Sequence, residues 1–237
     1  MANRWRRYSY AEQKSYFRRL RVILTWLFVF FLVYSLVSGL FVSNRVLNNR
    51  TMEPGLAEGD RFLFTSFALI RLAGKGGLPV KRGQIVLVDR GAGEKRGVIK
   101  VALDAVVRFC TLQRVSVFER DDTLFIKRVI GLPGDTVSIE NFVVRVKPAG
   151  DSYEYTEFEL AETNYIPNVP QVSLYWDESL PFSGTMEPKI LGGGEFFVLS
   201  DDRSVTNDSR SWGPVSSHQI IGSALLRYWP LTQASIL

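Results

Sequence analysis

Lys127 occupies the middle of Phe125-Ile126-Lys127-Arg128-Val129-Ile130, a run whose composition favours a strand. The strand period of two puts Phe125, Lys127 and Val129 on one face. A lysine between apolar neighbours on a buried face is costly while its ammonium keeps its proton. Burial disfavours the charged form and lowers the pKa, and a neutral amine at working pH is a general base. From the residues alone, Lys127 reads equally well as an edge-strand lysine that guards against aggregation.

The remaining reactive residues narrow the choice of chemistry. His218 is the only histidine and lies in a polar Ser-Ser-His-Gln stretch, so a Ser-His-Asp arrangement has a single candidate base. The sequence has no HExxH, no paired Cys/His cluster and no Asp-Thr-Gly pair, so neither a metal site nor an aspartic protease is implied. Cys110 is the only cysteine, which excludes an intrachain disulfide. Its neighbours Val106, Val107, Phe109 and Leu112 suggest a small buried hydrophobe. A hydroxyl nucleophile with a lysine base remains. Two tetrapeptides offer the hydroxyl: Thr51-Met52-Glu53-Pro54 and Thr185-Met186-Glu187-Pro188. A four-residue echo can arise by chance, and no longer period accompanies it convincingly.

The elements that must position these residues read as mostly antiparallel β, a folded sheet or small barrel. Strands are expected at 61–65, 84–88, 123–130, 136–146, 195–199 and 220–228, rich in Val, Ile and Phe and separated by turn residues. Two stretches depart from this pattern. Residues 66–78 are apolar and then glycine-rich, and 98–115 place Ile99, Leu103, Val106 and Cys110, with Phe109 beside them, near helical spacing. The second reads as a helix packed on the sheet or as a surface dipping into a membrane interface.

Charge is uneven along the 237 residues, whose formal net charge is +5. Arg4, Arg6, Arg7, Lys14, Arg18, Arg19 and Arg21 precede an uncharged run from Val22 to Val42. As a helix that run spans about 30 Å, the hydrocarbon thickness of a bilayer. The apolar run argues against a nucleic-acid-binding arm. It is longer than a cleavable leader's apolar region, and the following Asn-Arg-Val-Leu-Asn-Asn-Arg is a poor cleavage site. The expected organisation is a basic cytoplasmic segment at 1–21, a transmembrane anchor at 22–42 and an extracytoplasmic β-domain at 43–237.

Several segments, in order, resemble bacterial signal peptidase I. Ile126 to Asp135 (Ile-Lys-Arg-Val-Ile-Gly-Leu-Pro-Gly-Asp) resembles that family's lysine motif. Asp201 to Arg210, followed by Trp212-Gly213-Pro214, is similar to its GDNRxxSxDSR box. Arg82 to Val86 resembles its RGDIV strand, with Gln84 in place of Asp. Met52 to Leu56 and then Gly59-Asp60 resemble its nucleophile motif SMxPTLxxGD, and Ile220-Ile221-Gly222 and Tyr228-Trp229-Pro230 also match. The likeness covers the anchor and most of the chain and is weakest at 91–122 and 150–182, which read as variable insertions.

The resemblance implies a membrane-anchored endopeptidase that removes signal peptides from exported preproteins through an acyl-enzyme, without a cofactor or nucleic acid. It makes Lys127 the general base and puts Thr51 where the family has its serine nucleophile. Thr206 falls at the second serine, which hydrogen-bonds the lysine, and Asp208 and Arg210 are supports. Asn49 falls at the oxyanion position. Met52, Leu56, Phe125 and Ile126 would line shallow pockets for small substrate residues, with the substrate extended and adding a strand. Ser200 stands in place of a glycine and Asp202 in place of an asparagine. Threonine has a competent hydroxyl, though its methyl stiffens χ1 and crowds the approach to a carbonyl. A catalytically impaired homologue, acting as a membrane-anchored binding protein, is the alternative. Thr185, with Ser183 at its oxyanion position, is the rival nucleophile. Thr51 is preferred because it precedes Lys127 and follows the apolar run by a linker reaching at most about 30 Å.

Overall fold

A computed structural model describes residues 10–72, 77–91, 123–170 and 184–237, together with Leu103, Val106, Val107 and 109–111. Helix α1 runs Tyr10–Leu40. It ends before the expected anchor does: Val42 already pairs with Thr65 as the first residue of β1, Val42–Val46. Among the described residues no helix is long and apolar enough to cross a membrane.

The strands that follow are β2 (Arg61–Ser66), β3 (Ile85–Asp89), β4 (Leu124–Gly131), β5 (Thr136–Glu140), β6 (Val143–Lys147), β7 (Tyr155–Thr156), β8 (Met186–Ile190), β9 (Glu195–Leu199), β10 (Val215–Ser216), β11 (Ile220–Trp229) and β12 (Ser235–Ile236). Short helices are α2 (Ala68–Leu72), α3 (Glu157–Leu160) and α4 (Ser209–Trp212). One sheet has the order β1-β2-β11-β3-β4-β9-β10, with β12 also on β11, and a second has β7-β6-β5-β8. All the strand pairings within them are antiparallel. The mostly β expectation holds.

Strand β4 explains the motif it carries. From Ile126 onward it is buried on both faces, because it lies between β3 and β9 and feeds all three apolar cores. Ile126 joins Leu47, Met52, Leu56 and Phe62, Val129 joins Val86, Val88 and Val198, and Ile130 joins Val137, Val144 and Phe197. At Gly131 a Cβ would stand 2.7 Å from both Leu191 and Val137, so only glycine lets the strand pass where the two sheets meet.

Three expectations need correction. The run 136–146 is two strands, because Asn141 and Phe142 both take positive φ (50° and 65°) and make a tight hairpin turn. Cys110 is exposed rather than buried. Leu103 and Val106 are also exposed, and Phe109 packs on Phe31 and Tyr34 of α1, with ring centroids 4.9 and 5.2 Å apart. The rest of 98–115, Ser183 and the stretch 171–182 lie outside the described residues.

Candidate active site

Lys127 is 0 % exposed. Strands β3 and β9 flank β4, so the lysine has no edge through which to reach water, and the aggregation-guard reading fails. Phe125 and Trp212 meet at a tilt of 53°, 5.0 Å between ring centroids, and the Lys127 ammonium lies 6.0 and 5.8 Å from those two rings. Burial pushes the Lys127 pKa down to about 8. The Asp208 carboxylate pulls it back up, the Arg210 guanidinium presses it down, and Asp201 raises it.

The register supplies the lysine's hydroxyl partner. Arg128 pairs with Leu199 and Val129 with Val198, and one further step brings Ser200 opposite Lys127. Lys127 Nζ donates to Ser200 Oγ at 2.8 Å. Thr206, expected in that place, is half-buried, and its carbonyl accepts from the Asp208 N–H and the Ser211 hydroxyl. Reading by motif alone missed Ser200 and Trp212. Only the register of β9 against β4 brings Ser200 to the lysine.

Asp208 and Arg210 meet as expected. Arg210 Nε donates to Asp208 Oδ1 at 2.9 Å and Nη2 to Oδ2 at 2.8 Å, while the Ser200 N–H donates to Oδ2 at 3.0 Å. Burial pushes the Asp208 carboxyl up, but the Arg210 pairing and these N–H donors outweigh it and hold the group below its usual range. The adjoining Arg128–Asp201 pair is buried, with Nε to Oδ1 at 2.8 Å. Arg203 pairs with buried Glu157 at 2.6 Å, which ties α3 beneath the same loop.

Thr51 lies on a loop closed at its base by two backbone bonds, Leu47 N–H to Asp60 O and Gly59 N–H to Leu47 O. Asp60 Oδ2 accepts from the Ala57 N–H and from Arg227 Nη1, and Met52 is driven into the core as an apolar bolt. The Thr51 carbonyl accepts the Asp202 N–H at 3.0 Å, and Gly55 faces Asp201. The threonine loop therefore rests on the strand end that carries Ser200. Thr185, by contrast, immediately precedes β8 in the other sheet, where Met186 pairs with Ile139.

Asn49 presents its side-chain oxygen, not its NH₂, to Thr51. Asn49 Oδ1 accepts from the Thr51 hydroxyl at 2.7 Å and from the Thr51 N–H at 3.2 Å. Of the four residues expected to line substrate pockets, Met52, Leu56 and Ile126 are buried in one core cluster, and Phe125 is half-buried over the lysine. A cleft of about 280 Å³ opens beside them, lined in part by Asn49, Leu47, Leu87, Leu124 and Ile126. Among the described residues there is no group of His, Cys, Asp or Glu that could hold a metal.

Residues 19–229 match the family described as "Signal peptidase, peptidase S26". The chain is 25 % identical over 218 residues to signal peptidase IB of Staphylococcus aureus strain COL, covering 89 % of this chain and 92 % of that protein. It is 34 % identical over 110 residues to a probable signal peptidase I-1 of Synechocystis sp., covering 46 % and 44 %. A buried lysine of lowered pKa, facing a hydroxyl and bordered by a threonine loop, is what a hydroxyl–lysine peptidase requires, and the family match spans the segments that build it: this chain belongs to the signal peptidase family, peptidase S26.

Proposed function

We propose that this chain cuts signal peptides from exported preproteins, with Thr51 as nucleophile and Lys127 as general base. The observation that carries this reading is the burial of Lys127 with its pKa pushed down to about 8. An amine so placed is substantially neutral under mildly alkaline conditions, and a solvated lysine is not. A chain that only held exported segments would have no use for so costly a group.

The neutral amine takes the Thr51 hydroxyl proton as the oxygen attacks the carbonyl carbon of the scissile bond. The resulting tetrahedral adduct collapses, the lysine ammonium protonates the departing amine, and an ester to Thr51 remains. Water, deprotonated by the same amine, hydrolyses that ester and frees the threonine. The Thr51 hydroxyl must first leave Asn49 Oδ1, and an incoming carbonyl oxygen would then take the Thr51 N–H and, after an amide turn, the Asn49 NH₂. The cleft between residues 45–49 on one side and Leu87, Leu124 and Ile126 on the other, mixed polar and apolar in its lining, supports binding of an extended chain.

Membrane attachment is part of the same proposal. The uncharged run 22–42 and the strong exposure of Trp26, Phe28 and Phe30 on α1 support an anchor. The basic flank before it supports an N-terminus in the cytoplasm and a catalytic domain outside. The test is cleavage of a precursor bearing an Ala-x-Ala site by the full chain in detergent. Wild type should cut, and Lys127→Ala and Thr51→Ala should not. Failure of the well-folded wild type to cut would sink the enzymatic reading, and loss of cutting in Thr185→Ala rather than Thr51→Ala would move the nucleophile.

A further inference from the structure

We propose that Ser200, rather than Thr206, is the hydroxyl that orients Lys127 for proton transfer, a positioning role that rests on the lysine-base reading above. Ser200 Oγ receives the Lys127 Nζ–H at 2.8 Å, and both residues are 0 % exposed. The hydroxyl is fixed from behind. The Ser200 N–H is held by Asp208 Oδ2, Asp208 is clamped by Arg210 through three hydrogen bonds, two from the guanidinium and one from the backbone N–H, and Arg210 Nη1 and Nη2 are anchored on the carbonyls of Arg203 and Val205. Thr206 makes no side-chain hydrogen bond to a described residue.

A neutral amine has two N–H bonds and one lone pair. Spending one N–H on Ser200 removes free rotation about the last bond of the side chain, so the lone pair holds a fixed direction rather than sampling a cone. Glycine at position 200 could not do this, and the residue that provides it here is the cross-strand neighbour of the lysine. Full burial makes Ser200 a poor nucleophile for a polypeptide substrate, because the scissile carbonyl has no approach to it.

The hydrogen bond also has an electrostatic consequence. An acceptor favours the charged donor over the neutral one, so removing it lowers the lysine's pKa further while freeing the amine to wander. Loss of Ser200 therefore lowers both the titration midpoint and the plateau rate, a combination that general loosening of the fold, which would solvate the lysine and raise its midpoint, does not produce.

The experiment uses the full chain in detergent, labelled with ¹³Cε-lysine, with the Lys127 signal assigned by its loss in Lys127→Met. Midpoints are recorded for wild type, Ser200→Ala, Ser200→Gly and Thr206→Ala, and kcat and KM on an Ala-x-Ala precursor are measured across pH. In both Ser200 variants the Lys127 midpoint should fall and kcat on the alkaline plateau should drop about 10- to 100-fold, with KM little changed. Thr206→Ala should match wild type in both readouts. A Lys127 midpoint unmoved in the Ser200 variants, or moved equally in Thr206→Ala, overturns the proposal. So does a Ser200→Ala protein that forms no acyl-enzyme while Thr51→Ala still cuts, since Ser200 would then be the nucleophile. The titration needs no turnover, so a wild type that cuts nothing defeats the enzymatic reading and still leaves the role of Ser200 decided.

Discussion

The N–H of Asp202 donates to the carbonyl of Thr51 at 3.0 Å, joining a loop near the start of the domain to a strand end some 150 residues later. That bond, with Asp201 against Gly55 and Ser200 against Lys127, brings three motifs distant in sequence into one site. Its direction matters. It grips the backbone of Thr51 and takes no part in holding its hydroxyl, which donates to Asn49 Oδ1.

Thr51 should therefore tolerate exchange of its side chain for a smaller hydroxyl. Thr51→Ser keeps the nucleophile and removes the methyl that crowds the carbonyl, so its kcat should equal or exceed wild type. Thr51→Ala should lose about 1000-fold or more, because the nucleophile acts as one unit with its base. Thr185→Ala, in the other sheet, should leave kcat/KM unchanged. Steady-state cleavage of a precursor by the three variants checks this, and a Thr51→Ser enzyme much slower than wild type would show that the site has been repacked around the methyl.

The pH–rate profile should rise through a single ascending limb centred near 8, the value to which burial pushes Lys127. Only the unprotonated amine is a base, so activity is lost on the acid side of that midpoint. A limb centred near the ordinary lysine value of 10.5 in kcat/KM for the free enzyme would mean that Lys127 is solvated and not the base.

Much of the fold is legible in the sequence. The strands at 61, 85, 124, 195 and 220 announce themselves because half-buried strands repeat Val, Ile and Phe between turn residues. The period puts Lys127 on a face with Phe125 and Val129 but leaves open whether that face is buried, and it is the flanking strands β3 and β9 that bury it. What was illegible depends on distant contacts. Ser200 looks like an ordinary residue at a strand end until β9 is laid beside β4, and a single sequence contains no register between strands so far apart. Cys110 misled because apolar neighbours at helical spacing signal a buried face without naming what buries it. The structure sets Phe109 of that stretch against α1 and leaves Cys110 exposed.

Asp208 and Arg210 act on Lys127 with opposite sign, so their substitutions should move the ascending limb in opposite directions. Asp208→Asn removes a charge that raises the lysine's pKa, and the limb should shift to lower pH. Arg210→Met removes one that lowers it, and the limb should shift to higher pH. Both should also reduce the plateau rate, because each loosens the support behind Ser200. Profiles of the two variants on one substrate check the signs, and shifts in the same direction would count against Lys127 as the titrating group.

Lys127 should cost the fold stability that its function repays. Its pKa is about 8 when folded against 10.5 for a free lysine. Between those values the unfolded chain binds more protons, and stability should rise with pH. Below about 8 the folded state bears the whole cost, about 3 kcal/mol by the linkage relation. Lys127→Met should thus be inactive yet at least as stable as wild type at pH 7, with its advantage shrinking toward pH 10.5. Denaturant unfolding at several pH values measures this, and a Lys127→Met chain that is less stable at pH 7 than at pH 10, relative to wild type, contradicts it.

Asn49 separates two ways of serving the reaction. Its oxygen now accepts both the hydroxyl and the N–H of Thr51, the two donors a substrate carbonyl would meet. If the carboxamide turns to offer its NH₂ in the transition state, Asn49→Ala should lower kcat about 100-fold, the usual cost of one oxyanion donor. Asn49→Asp keeps the acceptor and the shape, has no N–H to offer and sets a negative charge beside the developing oxyanion, so it should be the slower of the two. Were Asn49 only a clamp that holds the threonine loop, the isosteric Asn49→Asp would preserve the clamp and outperform Asn49→Ala. The order of the two kcat values, measured at a pH above the lysine limb, decides between a donor and a clamp.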